Sequence, residues 1–282
     1  MSPTDGRAPV RDIRGEVDVV NWFYETSVWV TLPLFLILFV GASCAIVIGL
    51  RPVVARLVDD RGEWDRALAH VIGTFGVFFG ILLALVAVSV YENLAHTREV
   101  AIQEASRAGA LYRASSALPD QGGDRMHETL DAYLRAVIDG DFPSQQRQVL
   151  PTSSDAQVDE MELILQSLEA ETLTEQAEYK QVLETFDTFI EARRARIDAT
   201  ALALPPLLWA VIWVGAAVNA VLIAFIAVKR LRLHLLMAGL LSLFIGLVIF
   251  VTADMDHPYA GSISIDAGAF ERVLEQVVDE PG

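Results

Sequence analysis

Four apolar runs constrain this chain more than any other feature. In hydrocarbon only a helix or a closed barrel satisfies its own backbone, and about 20 apolar residues are what one helical crossing needs. Ser27 to Leu50 and His70 to Val90 form one pair around a short charged loop, and Leu204 to Val228 and Leu235 to Ala253 form another around KRLRLH. Trp22, Phe23, Tyr24, Trp29 and Trp209 fall near the ends of these runs, where amphipathic rings favour the interface. The pattern predicts an all-α integral membrane protein. Its parts are a polar segment over 1–26, a transmembrane hairpin over 27–91, a helical acidic domain over 92–203, a second hairpin over 204–253 and a tail over 254–282.

Composition agrees: 53% hydrophobic beside 21% charged residues, with mean hydropathy +0.41, is too apolar for a soluble globule. The 37 acidic against 21 basic side chains leave −16, and 92–203 carries 21 acidic against 10 basic, a net of −11. Such acidity excludes a nucleic-acid partner, which needs clustered Lys and Arg to displace counterions. The single cysteine, Cys44, lies inside an apolar run, where it reads as a small packing residue rather than a disulfide or metal ligand. The first 25 residues hold five acids and no short apolar core, so no cleavable signal peptide is expected.

Within 92–203 helix signals dominate. The second span is expected to run on as one helix through YENLAHTREVAIQEASRAGALYR toward Pro119, with Leu94, Ala101, Ala105, Ala108 and Leu111 close to helical spacing. MHETLDAYLRAVIDGDFP places Met126, Leu130, Tyr133, Leu134, Val137 and Ile138 on one stripe, with a stop expected at Gly140 and Pro143. PTSSD supplies cap residues, and Thr172 with Glu175 has capping-box spacing. The next helix carries Tyr179, Val182, Leu183, Phe186, Phe189 and Ile190 and points into the third span. A short amphipathic helix around Phe270, Val273, Leu274, Val277 and Val278 closes the tail.

Four spans place both termini and the acidic domain on one side. Arg51, Arg56, Arg61 and Arg66 in one short loop and Lys229, Arg230 and Arg232 in the other favour those loops in the cytoplasm, hence an extracytoplasmic domain. Arg11, Arg14, Arg98, Arg193, Arg194 and Arg196 near the opposite span ends pull the other way, and both orientations stay open.

No nucleotide-binding, hydrolase or zinc signature occurs, and His70, His96, His127, His234 and His257 never pair at ligand spacing, so no enzyme is expected. Runs such as Asp159, Glu160 and Glu162 read as a solvated helix face. Gly73, Gly76 and Gly80 allow close helix packing. Beside them Thr74, Phe78, Leu82 and Val86, with Phe75 and Phe79, form bulky rows that face lipid in an ordinary span. Around a symmetry axis they would form an apolar constriction that gates ions by dewetting. Asn219, mid-span, needs an interhelical partner. Asp254 and Asp256 oppose the helix dipole at the end of the fourth span and call for a cation, an Arg or water.

Three stretches resemble the bacterial bestrophin-like membrane proteins. They are GTFGVFFGILLALVAVSVYENLAHTREVAIQEASRAGALYR, with Tyr91, Glu92, Arg98, Glu104, Tyr112 and Arg113; LDAYLRAVIDGDFP, with Phe142 where Trp is usual; and the turn Asp256, Pro258, Tyr259, Gly261 before Phe270. The resemblance covers roughly Gly41 to Val277. It implies a homopentamer in the bacterial plasma membrane, passing inorganic anions, with an apolar neck of Phe75, Phe78, Phe79, Leu82 and Val86. It also implies a cytoplasmic domain, against the charge density of the short loops. Bestrophins bind calcium with acids after their turn, which leaves Asp254, Asp256 and Asp266 as candidates here. The competing reading is a sensory or scaffolding module whose stiff helices carry signals to the membrane without conduction.

Overall fold

The computed structural model describes residues 27–57, 61–119, 121–226, 228 and 230–279. The polar segment with Trp22, Phe23 and Tyr24, the loop residues 58–60, Lys229, and the side chains of Arg61, Val277 and Val278 lie outside the described residues. The helices are α1 (Val28–Leu57), α2 (Arg61–Ser115), α3 (Gly122–Ala136), α4 (Phe142–Gln146), α5 (Asp155–Ser167), α6 (Leu173–Ala199), α7 (Pro206–Ala224), α8 (Leu231–Met255) and α9 (Gly268–Asp279). A π-helical turn, Val137–Asp141, joins α3 to α4. Four of these helices, α1, α2, α7 and α8, are long and apolar enough to cross a membrane, and the all-helical membrane architecture holds.

Two of them outrun the expected boundaries. The stretch expected as a loop from Arg51 to Ala69 is largely helical, with only residues 58–60 between α1 and α2 outside the described helices. α2 then runs 55 residues without a break, about 80 Å at 1.5 Å per residue. The absence of Pro throughout α2 permits this length. Trp64 near its start donates to the Phe225 carbonyl at the end of α7 at 3.4 Å, which brings the two short loops to the same end of the bundle.

In the membrane region α1 packs on α7 and α8, and α2 packs on α7 and α8. Beyond it, α6 lies along the projecting half of α2, α5 covers α3, and α9 covers α2 and α3. A core of Leu111, Met126, Leu130, Leu134, Met161, Ile164, Phe189 and Phe270 closes among them, each fully or almost fully buried; every such side chain contributes about 1.5–3 kcal/mol. The Thr172–Glu175 capping box forms and starts α6.

The stop expected at Gly140 and Pro143 does not occur. The chain widens into the π turn and continues as α4 with Pro143 in its first turn, the wider turn accommodating a ring and a missing N–H that a regular helix interior resists. Gly140 serves a different purpose: a β-carbon there would lie 2.5 Å from the Ser153 side chain, so only glycine lets the 150s loop close over the turn.

Cysteines introduced singly at exposed Gln121 and Arg56, in a Cys44→Ser background, should label with an impermeant maleimide from opposite sides of the membrane. Labelling from the same side would contradict the four-span arrangement, and reaction of Gln121→Cys in intact cells is the result the short-loop charges favour.

Candidate functional site

Two regions carry candidate function: the outward half of α2 in the membrane, and a buried ionic centre in the domain. On α2 the four-residue series expected to face one direction does not. Each i to i+4 step overshoots a full turn by about 40°, so Thr74 and Phe78 are exposed, Leu82 is half-buried, and Val86 is turned into the protomer. Phe79 is also core: its ring lies on α7 so closely that a β-carbon at Gly215 would be 2.3 Å away. Phe75 is half-buried and stacks on Phe79 with centroids 5.6 Å apart. Phe79 and Val86 thus pack with Leu83, Val90, Ile212 and Ile249 inside one protomer. The face that does point outward follows the mixed i+3/i+4 row Thr74, Phe78, Ile81 and Leu85. By the same periodicity Glu92 and Glu99, both exposed, continue that row where α2 projects beyond the span.

Gly73, Gly76 and Gly80 are exposed as well, and a β-carbon at any of them would meet nothing within 4 Å. Packing within the chain therefore does not account for them.

The ionic centre was not foreseen. Arg196, in the last turn of α6, is completely buried. Its Nε donates to Glu104 Oε2 at 2.5 Å and one terminal nitrogen to Glu104 Oε1 at 3.1 Å; that nitrogen also reaches Asp141 Oδ2 at 2.9 Å, and the other donates to Gln145 Oε1 at 2.7 Å. Glu104 comes from α2, Asp141 from the π turn and Gln145 from α4. Tyr133 of α3 donates its hydroxyl to Glu104. Ser154, expected as a helix cap, instead donates to Asp141 at 2.7 Å, and the Ser153 N–H donates at 3.0 Å, an approach that Gly140 permits. Arg193 donates to Ser154 at 3.2 Å and pairs with Asp155. Arg196 thus faces both buried carboxylates, and Arg193 pairs with Asp155 beside them. The rings of Phe142 and Phe270 lie 5.8 and 5.7 Å from the guanidinium carbon and exclude water.

Burial works against the Arg196 charge, but Glu104, with Tyr133 and Asp141, outweighs it and holds the guanidinium above the ordinary arginine value. Burial first, and then the Glu104 charge, push the Tyr133 phenol well above 10. Burial likewise raises Tyr259, to about 12; its hydroxyl donates to the Arg196 carbonyl at 3.5 Å. The centre reaches the membrane by two routes: Tyr259 in the turn after α8, and Gln145, which donates to Thr200 in the linker to α7 at 2.7 Å.

Asp254, Asp256 and Asp266 do not converge. Asp254 accepts from the Ser262 N–H at 3.1 Å and hydroxyl at 2.5 Å; Asp256 accepts from the Leu204 N–H at 2.7 Å and the Trp209 indole at 3.0 Å; exposed Asp266 accepts from the Gly268 N–H at 3.2 Å. Donor hydrogens sit on both oxygens of Asp254 and of Asp256 and on one of Asp266, and among the described residues no cluster of three or more His, Cys, Asp or Glu has metal-binding geometry. These residues do not fit calcium. Their role is mechanical, since Asp256 fastens the end of α8 to the start of α7. Asn219 is buried on the inner face of α7.

Sequence held a signal for the ionic centre. Glu104 falls within the Ala101, Ala105, Ala108, Leu111 stripe, and Arg193 and Arg196 extend the Val182, Phe186, Phe189 stripe by further steps of four and three. Charges on a buried stripe require partners.

Comparison with known proteins agrees with this architecture. The bestrophin-like domain family matches residues 37–270, and the chain belongs to that family. This places it among multi-pass membrane proteins of channel type. A crystal structure of a bacterial bestrophin homologue from Klebsiella pneumoniae, bearing a leucine-to-threonine mutation, superposes with TM-score 0.61 at 14% identity over 87% of this chain and 99% of that one. A membrane protein with a proline-to-alanine substitution gives TM-score 0.60 at 12% identity over 89% and 100%. Among curated proteins no sequence matches.

Arg196→Met should cost about 3–5 kcal/mol, because it strands two buried carboxylates; thermal unfolding in detergent measures this, and an unchanged midpoint would contradict the pairing. Tyr133 and Tyr259 ionise later in the folded than in the unfolded chain. Their contribution to stability is therefore full below about pH 10; that of Tyr259 is lost as pH rises through about 12, and that of Tyr133, whose phenol is held well above 10, as its own phenol ionises. Ultraviolet titration should show two phenols that ionise only as the protein unfolds in alkali.

Proposed function

We propose that copies of this chain assemble around α2 and conduct ions through a path lined by its outward row. One observation carries the reading: the membrane half of α2 exposes three glycines that its own chain leaves untouched. Each glycine in a helix interior costs about 1 kcal/mol relative to alanine, so three of them need a return that lipid does not supply. Close approach of a neighbouring helix supplies it. With the glycines at the seam between copies, the row Thr74, Phe78, Ile81 and Leu85, with Leu82 at its edge, turns toward the axis. Apolar side chains at small radius exclude water there, and widening admits ions.

Five copies in the bacterial plasma membrane and passage of anions follow from the family resemblance. A cation reading is favoured by one observation of this chain: Glu92 and Glu99 continue the same outward row, and an acidic mouth concentrates cations, with screening over about 8 Å at physiological salt. Calcium has no part in this reading.

In planar bilayers Phe78→Ala should raise conductance, whereas Val86→Ala, which opens space inside the protomer, should not. Reversal potentials under chloride and then potassium gradients assign the ion. If neither wild type nor Phe78→Ala carries current above empty bilayers, conduction is refuted and the sensory or scaffolding module takes its place.

A further inference from the structure

Resting on the channel reading, we infer that the Glu104–Arg196 pair is the positioning element that sets the rotation of α2 about its own axis, and so which of its membrane side chains face the axis of the assembly. Three observations lead here. First, α2 is one unbroken helix from Arg61 to Ser115, so a twist applied at Glu104 reaches Phe78, about 39 Å away along the axis, without a joint to absorb it. Second, Glu104 is the one buried charged side chain of α2 among the described residues. The inner face of α2 within the bilayer consists of Phe79, Leu83, Val86 and Val90. Apart from the Phe79 ring seated against Gly215, what holds that face is a non-directional driving force, whereas a guanidinium fork held at two carboxylate oxygens fixes an angle.

Third, Arg196 is tied to the segments that lead into α7 and out of α8. Its side chain holds the π turn and α4, Gln145 passes the contact to Thr200 before α7, and the Arg196 carbonyl receives Tyr259 from the turn after α8. The angular setting of α2 is thereby measured against the neighbours that its membrane half packs on. Leverage is large. Rotating a helix by about 20° carries a side-chain tip about 6 Å from the axis through about 2 Å, on the scale of the opening a dewetted neck requires.

The test reads rotation without relying on current. In the full-length Cys44→Ser protein, Phe78→Cys and Val77→Cys present thiols about 100° apart on the exposed side of α2. The ratio of their reaction rates with a water-soluble methanethiosulfonate reports the setting of the helix. Glu104→Gln, which keeps the shape and removes the charge, should change that ratio severalfold, and Tyr133→Phe, which removes one hydrogen bond and leaves the ion pair, should change it less and in the same direction. Leu165→Ala, a cavity in the same domain that does not touch the pair, should lower the melting temperature and leave the ratio alone. A wild-type ratio in folded Glu104→Gln, or an equal change in Leu165→Ala, overturns the inference. Should Glu104→Gln fail to fold, an unchanged ratio in Tyr133→Phe overturns it equally. Measurable rates without current overturn the channel reading alone, whereas no reaction at either thiol, the result expected where the row faces lipid, overturns both.

Discussion

One buried arginine, paired with two buried carboxylates, organises the water-exposed half of this protein. Removing a guanidinium and two carboxylates from water costs several kcal/mol per ion, and a well-packed apolar cluster of similar volume would commonly be no less stable. Stability is therefore not the most economical account of Arg196. What the fork supplies is direction: α2, the π turn, α4 and α6 meet at one point in one geometry, and Phe142 and Phe270 keep water from weakening it. The remaining irregularities serve the same point. The π turn aims Asp141 inward, Gly140 lets the 150s loop approach, and Ser154 turns from its own helix to the carboxylate.

The membrane half obeys a different rule. Within one protomer its cohesion is almost wholly apolar, with a Ser242 to Ser43 hydrogen bond at 2.6 Å joining α8 to α1 and His234 meeting the Ile223 carbonyl at 2.9 Å. Those contacts fasten α1, α7 and α8 to one another. α2 shows the rest of the bundle one face and leaves the other free, and that division between a committed and an uncommitted face is what an assembling helix requires.

Much of the architecture was legible in the sequence. Apolar runs marked the spans, and the lack of a breaker between Gly80 and Gly109 marked the continuous helix, because hydropathy and helix propensity are local properties. The acid turn after the fourth span was legible as a motif but not as a mechanism, since whether Asp254 and Asp256 meet a cation or Ser262, Leu204 and Trp209 depends on chain segments brought from elsewhere. The bulky rows of α2 part at Val86 and Phe79, which are buried within the chain, for a geometric reason: spacing by fours spirals around a helix, and only the mixed spacing stays on one side. Glu104 and Arg196 were hidden among charged neighbours, ninety-two positions apart; a solvated face and a buried pair differ only in register against the apolar stripe.

In the channel reading the committed and uncommitted faces of α2 become, respectively, protomer core and lumen. A structure of the purified protein in lipid nanodiscs, determined by single-particle electron microscopy, tests it most directly. The expected result is a closed ring of copies with Phe78 and Ile81 at the narrowest part of an axial path, Gly76 and Gly80 against a neighbouring copy, and Phe79 and Val86 inside each protomer. A lone protomer, or a ring in which Phe78 and Ile81 face lipid, would contradict it.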